Sequence, residues 1–114
     1  MLNKVTLIGN LGADPEQRTA GNKPVVNLRL ATTETWKDRN GDRQEKTEWH
    51  RITVWGEGNA KYLAYAQKGT TLYIEGKLET RSYESNGETK YSTEIVVNER
   101  GGELRILKGG VERE

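Results

Sequence analysis

Trp49-His50-Arg51-Ile52-Thr53-Val54-Trp55 alternates with a period of two. Ile52 and Val54 share one parity, and Trp49, Arg51, Thr53 and Trp55 share the other. Successive side chains of a strand point to opposite faces. If Ile52 and Val54 point inward and no bulge intervenes, two indoles and a guanidinium point to solvent. β-Branched and aromatic residues suit a pleated backbone, so the segment predicts a strand with one wet, aromatic face.

Working outward, the same period recurs on both sides. Val5-Thr6-Leu7-Ile8-Gly9 opens the chain, and Val26, Leu28 and Leu30 share a face with Asn27 and Arg29 opposite. Residues 70–83 and 89–98 supply two more runs. In the first of these, Leu72, Ile74 and Leu78 share one face, and Tyr73, Glu75, Lys77, Glu79, Arg81 and Tyr83 the other. A weaker strand is expected at 104–107. Asn40-Gly41 and Asn86-Gly87 mark hairpin turns, because Asn-Gly readily takes positive φ. Both pairs sit in polar surroundings, so 37–46 and 82–90 are expected as long, mobile hairpin tips.

One segment breaks the pattern. Residues 59–69 predict a short helix with Asn59 as N-cap, Gly69 as C′ residue, and Leu63, Ala66 and Tyr62 toward the core. Three strands, a helix and two strands give an all-β chain with one short helix. That is the order of the OB-fold, a five-stranded Greek-key β-barrel, here with long hairpin loops.

The 114 residues suffice for one domain. Apolar residues make up 32% and charged residues 31%, so the core must be thin, and burial in an oligomer would help. The absence of cysteine excludes disulfides, thiolate zinc sites and cysteine nucleophiles. No run approaches the roughly 20 apolar residues of a membrane span, and the start reads as a strand, not a signal peptide. A cytoplasmic location is expected. The net charge of +1 argues neither for nor against a nucleic-acid partner, so charge placement must decide.

Exposed aromatics interleaved with basic side chains suit a sequence-tolerant binder of single strands. Every base has a π face to stack, and Arg and Lys pair with phosphates. Trp36, beside Lys37 and Arg39, is expected on a loop. A lone tryptophan is more often a core or interface residue. Three within twenty positions, all beside polar or basic neighbours in a chain without phenylalanine, shift the balance. Tyr73 and Tyr91 are expected to pack. His50, the sole histidine, has the parity of Ile52 and Val54 and is expected to be buried or at an interface. Gly69 to Lys77 is not a P-loop: six residues separate the glycines where four are needed, and Leu78 replaces Ser or Thr. No catalytic residue, metal site or cofactor site is expected. Two other readings compete: an OB-fold adaptor that binds a protein partner, and a nuclease-like enzyme, which would need a carboxylate cluster that is not evident.

The chain resembles the bacterial single-stranded DNA-binding protein family. The resemblance runs through Asn3-Lys4-Val5, Ile8-Gly9-Asn10-Leu11-Gly12, Asp14-Pro15-Glu16, Thr47-Glu48-Trp49-His50-Arg51, Tyr73-Ile74-Glu75-Gly76 and Thr93-Glu94-Ile95-Val96-Val97. It covers residues 1–108, taken as one DNA-binding domain, with 109–114 as the start of a flexible tail. The resemblance implies a homotetramer, nucleoid-associated in a bacterial cytoplasm, that protects single-stranded DNA during replication, recombination and repair. It implies stacking sites at Trp36, Trp49, Trp55 (often Phe there) and Tyr83 (often Trp), and basic or DNA-facing roles for Arg39, Arg51, Lys68 and Arg81. Asn3, Lys4 and His50 would serve the subunit interface. Glu57 and Gln67 stand where basic residues are common, which implies fewer phosphate contacts. The family usually continues into a long tail whose acidic tip, ending in Phe, recruits replication and repair proteins. No such tip stands at Val111-Glu112-Arg113-Glu114, so protein partners are expected only if an acidic tail follows residue 114.

Overall fold

A computed structural model describes residues 1–109. It contains β1 (Val5–Leu11), β2 (Glu16–Ala20), β3 (Lys23–Lys37), β4 (Arg43–Trp55), α1 (Glu57–Leu63), β5 (Thr71–Ser85), β6 (Glu88–Val97) and β7 (Glu103–Lys108). β1 pairs with both β3 and β5, and the strands connect in the order β1-β3-β4-β6-β5. That path returns to β1, so five strands form a ring. β4 and β6 are its parallel pair, through Ile52↔Ile95 to Val54↔Val97. This is the expected OB-fold arrangement, with β2 added alongside β3 and β7 alongside β5.

The interior is filled by the apolar parity of each run. Val26, Leu28, Leu30, Ile52, Val54, Leu72, Ile74, Ile95 and Val97 are all buried. Ala60 and Leu63 of α1 close one end against them. At about 25 cal/mol per Å² of apolar surface removed from water, these side chains supply the main drive for closing the ring.

The helix departs from expectation. It starts after Gly56 (φ 113), without a side-chain cap, and ends at Leu63. Asn59 is inside it and donates its side-chain amide to the Trp55 carbonyl at 2.9 Å. Gly69 lies beyond the helix, where its N–H reaches Leu11 O at 2.8 Å and Leu11 N–H reaches Thr70 O at 2.9 Å. The chain leaves the helix early because these bonds carry it into β5. Ala66 packs against the core, but Tyr62 stays exposed and its hydroxyl accepts Ile106 N–H at 2.8 Å.

β2 has no counterpart in the sequence reading. Glu16-Gln17-Arg18-Thr19 is exposed on both faces, so an edge strand without an apolar side shows no period of two. The hairpin tips differ for the same reason. Pairing continues to Lys37↔Arg43 and to Ser85↔Glu88, so the long hairpins are two-stranded ribbons with short turns. Asp38 ties the first turn: Oδ1 accepts the N–H groups of Asn40 and Asp42, both at 2.9 Å, and Oδ2 accepts the Gln44 amide at 3.1 Å. Asn86 (φ 55) and Gly87 (φ 78) form the second, a two-residue turn with both φ values positive.

Parity also fails where ribbons leave the barrel. Leu78, expected inside, is exposed, as is Tyr91, expected to pack. Thr53, expected outside, is buried at 9% exposure, because β6 covers it opposite Val96. The expected tail beginning at 109 falls, from 110 on, outside the described residues.

Candidate nucleic-acid interface

Trp49 stands directly opposite Ala31 on β3, which in turn faces Asn10 of β1. The residue is 54% exposed, yet its ring is firmly seated. A Cβ on Gly12 would fall 2.7 Å from Trp49 Cη2 and closer still to Cζ3, so the ring lies where only a glycine leaves room. The Gly12 N–H is fixed on Arg29 O at 2.9 Å. Arg29 Cζ sits 5.9 Å from the indole centroid, within cation–π range.

Beside this ring is an open recess of about 280 Å³. Arg18 of β2, Arg29 of β3, Arg51 of β4 and Arg81 of β5 line it, with Glu16, Thr53 and Glu94 also in its wall. Arg29 and Arg51 are direct cross-strand partners. Like charges placed opposite each other are unfavourable, and neither has a carboxylate partner among the described residues. Such a pair is suited to an anion. Arg81 donates Nε–H to Glu94 Oε2 at 2.9 Å, and the Thr53 hydroxyl donates to Glu94 Oε1.

The other expected stacking residues are spread out. Trp36 is within β3, not on a loop, and is 47% exposed. Its register partner is Gln44. It has the even parity of Leu28 and Leu30, so it belongs to the opposite face of the β3–β4 ribbon from Trp49. Arg39 is exposed in the turn at that ribbon's end. Tyr83 is exposed on β5 opposite Lys90, well out along the second ribbon. Trp55 is half-buried at the far end of β4, six positions from Trp49, or about 20 Å at 3.3 Å per residue. It lines a separate cleft with Lys23 and Arg100. Lys68 is exposed in the turn before β5, and its backbone N–H is held by Asp14 Oδ1 at 2.7 Å.

The expected interface residues have partners within the chain. The Asn3 side chain exchanges two hydrogen bonds with the backbone of Leu78, at 2.9 and 3.0 Å. Lys4 pairs with Glu75 at 3.4 Å. The Tyr73 hydroxyl donates to Glu75. That bond, and after it Lys4, outweighs desolvation and holds the Glu75 carboxyl below its ordinary value, while the same bond raises Tyr73. His50 is half-buried, with Nε2 and Thr32 Oγ1 2.9 Å apart.

Arg18, Arg29, Gly12 and Glu94 were not identified as site residues from the sequence. Arg29 could have been found, since it lies opposite the apolar parity of Val26 and Leu28. Arg18 could not, because β2 carries no strand signal. No group of three or more His, Asp or Glu among the described residues could hold a metal ion.

Residues 2–102 match the sequence profile of the Single-strand binding protein family. The chain is 52% identical over 112 residues to the "Single-stranded DNA-binding protein" of Rhizobium meliloti, covering 95% of this chain and 64% of that protein. It is 52% identical over 110 residues to the protein of the same name from Rickettsia conorii, covering 93% and 72%. Among solved structures it resembles "Plasmodium falciparum SSB complex with ssDNA", with TM-score 0.85, 36% identity, and coverage of 95% of this chain and 96% of that one. A deletion mutant of the Thermus aquaticus single-stranded DNA binding protein aligns with TM-score 0.76 and 32% identity, covering 95% of this chain and 51% of that one. With the profile spanning nearly all of the barrel, the chain belongs to the single-strand binding protein family.

Proposed function

We propose that residues 1–108 are a module that binds and protects single-stranded DNA with little sequence preference during replication, recombination and repair. It makes and breaks no bond. The observation that carries this reading is the unneutralised Arg29–Arg51 cross-strand pair beside the exposed Trp49 ring. A phosphate relieves the repulsion of the two guanidiniums, and a base stacks on the indole at about 1–3 kcal/mol. Trp36, Tyr83 and Trp55 extend the path as further stacking sites. Arg18, Arg39, Lys68 and Arg81 add cations along it. The dispersal of these groups around the barrel fits a strand that wraps, not one that lies in a single groove.

The reading includes a homotetramer, supported by Ile8, Leu78 and Tyr91 exposed on the outside of a thin-cored barrel. Asn3, Lys4 and His50 serve the interface by fixing the local backbone and strand face through the bonds described above. Sedimentation would test it, and a monomer at micromolar concentration would refute it. Replication and repair proteins join as partners where an acidic tail follows residue 114. We place the protein in a bacterial cytoplasm, at the nucleoid. No helix among the described residues is long and apolar enough to cross a membrane.

Poly-dT titration followed by tryptophan fluorescence at two salt concentrations tests the function. Quenching on binding, with affinity that falls as salt rises, is expected. Absence of quenching together with salt-independent affinity would refute it.

A further inference from the structure

Two carboxylates line the recess with the arginines, Glu16 and Glu94, and among the described residues only Glu94 forms an ion pair with one of them. Glu94 projects from β6 into the wall of the recess, and its side chain is only 12% exposed. The buried Thr53 hydroxyl anchors one oxygen from β4. Arg81, 71% exposed, reaches the other from β5. Glu79 is the cross-strand partner of Glu94, but Lys77 pairs with Glu79 at 3.4 Å. Of the four arginines in the recess, Arg81 alone has a carboxylate partner among the described residues.

Resting on the DNA-binding reading, we infer that Glu94 is a resident competitor for the backbone phosphate, holding Arg81 in a neutral pair and weakening the grip of this recess. A carboxylate and a phosphate offer a guanidinium the same kind of acceptor. A phosphate that takes Arg81 from Glu94 leaves a poorly solvated carboxylate without its counter-charge. A phosphate that leaves the pair intact meets a cation already neutralised, with a carboxylate close behind it. Either route costs affinity, so Arg81 contributes less to binding than Arg51, which has no such partner. The consequence is a strand held by three full cations instead of four at this point, and therefore released more readily.

The opposite reading, that Glu94 positions Arg81 for phosphate, predicts the opposite sign, and this makes the test decisive. The dissociation constant for oligo-dT is measured at 50 and 200 mM salt for the unaltered protein, Glu94→Gln, Arg81→Met, Arg51→Met and the Glu94→Gln/Arg81→Met double variant. The Gln amide oxygen still accepts the Thr53 hydroxyl, and melting curves check that each variant is folded. Glu94→Gln is expected to bind more tightly. One more phosphate neutralised steepens the plot of log K against log salt by about 0.7, so its advantage is roughly 2.6-fold larger at 50 mM than at 200 mM. Arg81→Met should flatten the salt slope by about 0.7 in the Glu94→Gln background but leave it nearly unchanged alone, whereas Arg51→Met alone flattens it by that amount. Equal or weaker binding by Glu94→Gln would overturn the inference. If that variant does not fold, a salt slope flattened as much by Arg81→Met as by Arg51→Met would do the same. No binding by the unaltered protein would instead defeat the DNA-binding reading itself.

Discussion

Gly12→Ala separates folding from binding at Trp49. The added Cβ falls 2.7 Å from Cη2 and nearer to Cζ3, where ordinary contact is 3.4–4 Å. The indole must therefore move by about an ångström or leave its seat, because rings and backbone do not compress by that much. The backbone has no reason to resist, since Gly12 is not among the positive-φ glycines and its N–H to Arg29 O survives the change. Removing a glycine from a compatible position stabilises a fold by about 0.4–1 kcal/mol through the unfolded chain. The displaced ring is already half-exposed, so little packing is lost. Melting temperature should thus stay level or rise slightly. DNA affinity should fall by the value of one stack, about 1–3 kcal/mol, or roughly 5-fold to 150-fold in dissociation constant. The assay is poly-dT titration with circular-dichroism melting of the same samples. The free variant should also show altered tryptophan emission. Unchanged affinity with unchanged emission would refute the claim that Gly12 seats the ring.

Trp36→Ala and Trp49→Ala should each weaken oligo-dT binding by more than about 1 kcal/mol. The two residues lie on opposite faces of one ribbon, so the double variant should show a near-sum of the losses in the same titration. Arg29→Met or Arg51→Met should flatten the salt dependence of binding by about 0.7 in the log–log slope. Relief of the cross-strand repulsion should at the same time raise the melting temperature of the DNA-free protein, by the equivalent of about 0.2–1 kcal/mol. Glu75, lowered from 4.5 first by the Tyr73 hydroxyl and then by Lys4, stabilises the fold above that value and loses this contribution as pH falls through its folded pKa. Tyr73, raised from 10.0 by the bond it gives Glu75, keeps its contribution below that value and loses it as pH rises through its folded pKa. Melting temperature against pH should show both limbs, and Glu75→Gln should reduce both.

The barrel was legible because its buried strands are amphipathic. Val26, Leu28 and Leu30 on β3 and Ile52 and Val54 on β4 repeat every second residue, and burial preserves that pattern. Where a strand buries neither face, the pattern has no physical cause. β2 was missed for that reason, and the outer arms of both ribbons read as loops although they are fully paired. The helix is legible as an element, but the sequence shifts it toward the C-terminus at both ends, 59–69 against Glu57–Leu63. Asn59 and Gly69 are good cap residues, but Trp55 O and Leu11 O claim them.

The sequence by itself determined the alternation that builds the ring, the Asn-Gly turns, and the exposure of Trp36, Trp49 and Tyr83. These follow from local periodicity, turn chemistry and polar neighbours, which a linear chain displays. Tertiary structure alone decided which exposed groups stand together. Only pairing in space sets Arg29 against Arg51, brings Arg18 and Arg81 into their recess, lays the Trp49 ring over Gly12, and divides Trp36 from Trp49 across a ribbon. Those relations depend on register between strands far apart in sequence, and no local pattern encodes a register. The exposed aromatics could be named from the chain, but the charged recess beside Trp49, with Glu16 and Glu94 in its wall, comes from closing the barrel.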